Sequence, residues 1–284
     1  MTQPPHGRIK LTSVGPGYYR AVISNPPINL ADPEFYYDLG WLIDALDADD
    51  EARVVVFESS TPDFFLAHFD VVKGQDADHN VPGPTGLPLW PDLSTRLAHA
   101  PYVSIASIRG RARGGGSEFL LACDLRFASR ELAVLGQPEV GLGLFPGGGG
   151  TERLPALVGR ARALEIILGC EDFDAETAER YGYVNRAIPD DELDAFVDRL
   201  ARRIASFDTA ALAKGKARVN NSSPLPAGAD LVASQDDFFA AFTWEATQRR
   251  LARLFELGLQ QPGDVEQRLG DVVGELALGP AGSS

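Results

Sequence analysis

The chain has 284 residues, 44% of them hydrophobic and 23% charged, which suits a soluble globular protein of one large domain, or one domain with a helical appendage. A formal net charge of −14 excludes nucleic acid as the main partner, because binding a phosphate backbone calls for a basic face. The two cysteines and four histidines lack the spacing of a disulfide framework or a metal site, so no metal is expected. The opening MTQPPHGRIK has no apolar core, and no apolar run approaches the roughly 20 residues that cross a bilayer, so no membrane partner and a cytoplasmic location are expected.

Residues 1–10 read as flexible. Tyr19–Ser24 reads as a strand ended by Asn25-Pro26-Pro27, which cannot continue a ladder. Asp32 then suits a helix N-cap and Pro33 its first turn, and Phe35, Leu39, Leu42, Ile43 and Leu46 give that helix an apolar stripe. The β-branched runs Arg53–Glu58 and Tyr102–Ile108 read as buried parallel strands. Residues 74–92 are rich in Gly and Pro and hold Trp90; they read as a long loop, either covering a site or forming a surface insertion. Asp124–Ala128 and Leu132–Leu135 read as short strands, Gly147–Val158 and Arg160–Gly169 as helices, and Asp174–Tyr181 as a capped helix before the extended Tyr183–Ile188. Helices follow over 190–206, 208–220, 228–257 and 264–276. The rhythm is that of an α/β fold with a mostly parallel sheet, followed by an all-helical C-terminal region.

The segment RGRARGGGSEFLLACD, Arg109–Asp124, carries the chemistry. Gly114, Gly115 and Gly116 leave N–H groups uncovered where a helix begins, a place that can hold a developing oxyanion. Glu118 puts a proton-transfer group within a turn of those donors. The same residues also read as a glycine-rich turn with an ordinary first-turn glutamate, but not as a dinucleotide fingerprint, since the glycines run consecutively. Glu139, after Pro138 and between short apolar stretches, reads either as a loop residue exposed to water or as a partly enclosed carboxylate, whose pKa enclosure would raise. Two carboxylates from different loops beside one oxyanion clamp make an acid–base pair.

GGGSE, then ACDLRFAS, then GQPEVGLGLFPGGGGTERLPALVGRARALEIILG resemble the enoyl-CoA hydratase/isomerase (crotonase) superfamily, nearly continuously from Tyr102 to Leu193. The resemblance implies a crotonase-like spiral core of ββα type over 1–195 and a helical region over 196–284 that covers the site and serves oligomerisation. It implies an acyl-CoA substrate with no separate cofactor, and a homotrimer or dimer of trimers. It places an enolate between the N–H groups of Gly115 and, in the matching stretch FLAHFD, of Phe69. Glu118 and Glu139 match the paired glutamates of family hydratases. Substrate contacts are expected at Ala67, His68 and Asp70, at Arg113 and Gly114, and at Pro138 and Gly147. Lys216 matches a lysine that reaches CoA phosphates, with Lys214 as a second candidate.

His68 stands where the family usually has glycine, and Arg113 where it usually has an apolar residue. Arg113 could bind a polar group on the acyl chain or pair with an acidic neighbour such as Asp70; His68 could enter the site or pack away from it. Hydration of a 2-enoyl-CoA is the expected activity. An isomerase, a C–C (diketone) hydrolase or a lyase on the same fold is the alternative, and a non-catalytic acyl-CoA-binding subunit is a third.

Overall fold

The computed structural model describes residues 3–75, 79–223 and 225–277. Among the described residues ten strands form two sheets: β1 (Ile9–Gly15), β2 (Tyr18–Ile23), β3 (Val54–Ser59), β4 (Phe64–Leu66), β5 (Val103–Ile108), β6 (Arg111–Arg113), β7 (Leu125–Ser129), β8 (Val134–Gly136), β9 (Phe173–Asp174) and β10 (Arg186–Ile188). The larger sheet runs β1-β2-β3-β5-β7-β10 and is parallel except for the β1–β2 hairpin. The smaller runs β4-β6-β8-β9 and is antiparallel only at β8–β9.

Both faces of the larger sheet are covered, which is why β3 is an unbroken run of buried Val and Phe rather than an alternating one. On one face Val54, Val56, Ile105 and Phe127 pack with Leu193, Val197 and Ala201 of the helix Asp190–Ala205, which crosses the expected 195/196 boundary. On the other, Val55 and Phe57 pack with Phe35, Leu39 and Phe119. Phe119 sits edge-on to Phe35 and Phe57 at 5.8 and 5.1 Å between ring centroids, a favoured aromatic geometry.

The helix Pro33–Asp47 starts as expected: Asp32 caps it by accepting from Phe35 N at 2.9 Å, and Pro33 sits in its first turn. Four readings need correction. The helix read over 264–276 is two, Asp264–Gln267 and Leu269–Ala277. The N-terminal region is ordered from well before residue 10, because β1 pairs with β2 and the N–H groups of His6 and Arg8 donate to Asp38. The 74–92 loop ends early: the helix Leu89–His99 begins inside it, with Pro91 in its first turn where no N–H is needed; residues 76–78 lie outside the described residues. The helix read over 228–257 is two, Gly228–Ala241 and Glu245–Leu257. The break lets the second dock on the Gly143 turn, where Thr247 Oγ1 donates to Gly143 O at 2.6 Å.

The C-terminal helices share an apolar cluster with Val71, Leu142 and Leu144. The parallel strands β4, β6 and β8 lead directly into residues 67–70, 114–118 and 137–139. The candidate residues therefore gather at the carboxyl ends of parallel strands, with the C-terminal helices laid over them.

Candidate active site

Gly114 takes φ 49°, ψ −123°, a conformation that favours glycine, and donates to Gly136 O at 3.0 Å. The helix Gly115–Ala122 starts directly after it. A Cβ on Gly116 would lie 1.8 Å from Leu66 O, and one on Gly115 3.2 Å from Phe69 N. The glycines thus let the helix start press against the loop leaving β4. In that loop Ala31 N donates to His68 O and Asp70 N to Ala31 O, which turns the intervening Phe69 N–H to the opposite side. Among the described residues neither Phe69 N–H nor Gly115 N–H has a protein acceptor, and both residues line one cleft. Two uncovered amides beside each other are the elements of an oxyanion clamp.

Glu118 and Glu139 line the same cleft and are 5% and 7% exposed, so both carboxyls have lost most of their water. Glu118 Oε1 accepts from Gly148 N at 2.7 Å and Gly150 N at 2.9 Å. Burial pushes its pKa up to about 7, although those two amides pull the other way. Glu139 opens the 3-10 turn Glu139–Leu142. Burial and then the charge of Glu118 raise its pKa well above the ordinary carboxyl range. The Gln137 amide, oriented so that both ends are satisfied, donates to the Glu139 oxygens at 3.0 and 3.1 Å and accepts from Ser117 Oγ at 3.2 Å; Ser117 in turn bonds Tyr183. Burial favours a proton on both carboxyls, and the two amides at Glu118 favour its ionised form.

The cleft encloses about 850 Å³ including its open mouth. Its apolar walls come from Phe69, Leu142 and Leu144 and from Phe238 and Phe239 of the helix Gly228–Ala241. Trp90 closes one side; its Nε1 donates to Gly148 O at 2.8 Å, so the indole braces the strand of chain whose N–H holds Glu118.

Of the remaining sequence candidates, Gly114, Pro138 and Gly147 line the cleft. Ala67 does not, but its carbonyl accepts from Arg113 N at 3.0 Å and joins the two halves of the clamp. His68 borders the cleft while its ring turns to Glu266, Nε2 lying 3.1 Å from both carboxylate oxygens. Three expected substrate contacts have protein partners instead. Arg113 is 1% exposed and its guanidinium is occupied by Asp172, at 2.6 and 2.5 Å, and by Glu266 O at 2.8 Å. Asp70 caps the short helix Val71–Gln75 through Val72 N and Lys73 N. Lys216 Nζ bonds Asp124 at 2.8 Å and Tyr102 O at 2.9 Å, tying its helix to the core; Lys214 is exposed. Reading the sequence missed Glu266, the amides of Gly148 and Gly150, and Phe238 and Phe239. The adjacent aromatic pair in an amphipathic helix was a signal for the last two only.

The sequence profile described as enoyl-CoA hydratase/isomerase matches residues 20–256. A short-chain-enoyl-CoA hydratase of Clostridium acetobutylicum is 28% identical over 242 residues, 84% of this chain and 92% of that protein. A protein of Rhizobium meliloti described as a probable enoyl-CoA hydratase is 34% identical over 232 residues, 79% and 86% of the two chains. Among solved structures, a protein of Streptomyces avermitilis described as an enoyl-CoA hydratase superposes with a TM-score of 0.90 at 44% identity, covering 96% of this chain and 98% of that one. The profile match spans most of the chain, including both glutamates and the glycine segment, and so the chain belongs to the enoyl-CoA hydratase/isomerase family.

Proposed function

We propose that this protein hydrates 2-enoyl-CoA thioesters through an enolate. The observation that carries the reading is the pairing of two buried carboxyls, one of them anchored by two backbone amides, with two uncovered backbone N–H groups in one apolar cleft. The thioester oxygen is held between Phe69 N–H and Gly115 N–H, and the apolar walls take the acyl chain. Glu118, ionised and anchored by Gly148 and Gly150, removes a proton from water as the water oxygen bonds to Cβ. The double-bond electrons move onto the thioester as an enolate. Glu139 then gives its proton to Cα and the thioester carbonyl reforms; return of the water proton from Glu118 to Glu139 through solvent restores the site, so that water has been added overall. No cofactor enters these steps beyond the coenzyme A carried by the substrate. A diketone hydrolase, an isomerase or a lyase built on this site would call on His68 and Arg113 as its distinguishing polar groups, and both are engaged, by Glu266 and Asp172.

A homotrimer or dimer of trimers, with 196–284 covering the site, is part of the same proposal. The helix Thr209–Ser222 supports it: none of its residues is buried, and Val219 is 66% exposed. No helix among the described residues is long and apolar enough to cross a membrane; the cytoplasm is the location proposed. The test is Glu139→Gln assayed on crotonyl-CoA by loss of the enoyl thioester absorbance. Near-complete loss of turnover in a folded protein is expected, and unchanged turnover rules the reading out.

A further inference from the structure

Resting on the hydratase reading, we infer that Glu266 is a positioning residue that sets the spacing of the two oxyanion donors from behind. The donors sit on separate segments, Phe69 after β4 and Gly115 after β6. His68 directly precedes the first and Arg113 stands two residues before the second, and their side chains converge on Glu266. Its carboxylate faces His68 Nε2 at 3.1 Å through both oxygens, and its carbonyl accepts from Arg113 Nη1 at 2.8 Å. Glu266 is fully buried, so these contacts are sheltered from water.

Neighbouring bonds reinforce the arrangement. Gln260 N donates to Glu266 Oε1 at 2.6 Å, while the Gln260 side chain accepts from Val71 N at 3.0 Å and donates to Asp70 at 2.8 Å. Gln260 is held at φ 62°, a left-handed conformation that persists in a non-glycine residue where its surroundings enforce it. Gln267 O accepts from Arg111 Nε at 2.8 Å and Arg113 Nη2 at 3.2 Å. One stretch of chain, 260–267, therefore grips both segments.

The His68 ring has an acceptor on each nitrogen, since Nδ1 lies 2.8 Å from Phe69 O. With Glu266 ionised, both nitrogens donate and the ring is an imidazolium paired with that carboxylate. Buried pairs of this kind hold a geometry more than they add stability, and here the geometry is that of the peptide carrying the Phe69 N–H.

The test compares Glu266→Ala, His68→Ala, the double variant, Glu266→Asp and Glu266→Gln. Two readouts are taken: crotonyl-CoA hydration, and the absorbance of the enolate of bound acetoacetyl-CoA, which the two N–H groups favour when both reach one oxygen. Each alanine variant is expected to lower kcat by about 100-fold, the scale of a small misplacement, with KM changed less than about threefold. The double variant falls no more than about threefold further, because the residues act as one unit. Glu266→Asp keeps the charge but shortens the tether, and Glu266→Gln keeps the length but loses the charge. The Gln variant is expected to retain more kcat and more of the enolate band than the Asp variant. Wild-type kcat in folded Glu266→Ala, or additive losses in the double variant, overturns the inference. Where the alanine variants fail to fold, the Asp and Gln pair decides, and equal kcat in those two overturns it. A wild-type protein that holds the enolate band without hydrating crotonyl-CoA removes the hydratase reading alone; the band across the variants then decides.

Discussion

Two clusters of buried ionisable groups flank Gly115, and they solve burial in opposite ways. Glu118 and Glu139 face the cleft, and among the described residues neither forms an ion pair; burial drives both toward the protonated form. His68, Glu266, Arg113 and Asp172 lie behind the oxyanion donors and are paired with one another. There the pKa of His68 is raised, burial being outweighed by the charge and hydrogen bond of Glu266, and that of Glu266 is lowered by His68 against the same burial penalty. Uncompensated burial yields carboxyls that take up protons more readily than in water; compensated burial yields fixed charges that hold a shape. The same physics separates the groups suited to chemistry from those suited to support.

The sharpest way to break this contrast is Glu139→Gln, which removes a proton donor and leaves the second cluster intact. Hydration of crotonyl-CoA should fall by about 10³-fold, within the range for general acid–base groups, while circular dichroism stays that of the parent. Gly115→Ala attacks the donors that both clusters border. Its Cβ, 3.2 Å from Phe69 N, fills the clamp, and kcat should fall by about 100-fold as measured at saturating substrate. The pH profile comes next. If Glu118 is the base, kcat/KM falls as the pH drops through about 7, where its carboxylate takes up a proton. A profile flat from pH 6 to 8 would remove Glu118 from that role.

A smaller effect appears in stability. Glu118 holds its proton more tightly folded, with a pKa of about 7, than at its ordinary 4.5. Between those values the folded state binds more protons than the unfolded one, so stability is highest below the window and is lost as the pH rises through it. Glu118→Gln should therefore raise the melting temperature at pH 8, with the gain shrinking toward pH 5. The smallest functional effect is expected for Lys216→Ala, whose amine is committed to Asp124 and Tyr102 O. KM for crotonyl-CoA should stay within about twofold in steady-state kinetics, with the cost appearing in the melt, as expected when a buried polar group loses its partner.

The first cluster was legible in the sequence and the second was not, for a physical reason. Gly114, Gly115, Glu118 and Glu139 fall within one contiguous stretch whose glycine spacing and carboxylates already constrain the chemistry. The strand pattern Arg53–Glu58 and the Asp32-Pro33 helix start were equally local. Glu266 bonds His68 across 198 positions, and nothing within a few residues of Asp264–Gln267 distinguishes it from the start of a surface helix. His68 and Arg113 stood out as departures, yet their partners were fixed only when the C-terminal helices folded back over the strand ends. The break at 242–244 was illegible for the same reason, since it depends on Thr247 meeting Gly143.

Trp90 has one further consequence. Its indole forms part of the cleft wall and its N–H is bonded to the carbonyl of Gly148, so an occupant that displaces water or shifts that chain segment changes the polarity around the ring. Of the three tryptophans in the chain, Trp90 is the one lining this cleft. The protein thus carries an intrinsic optical reporter of its own occupancy, by which binding can be followed in solution without a labelled ligand and without turnover.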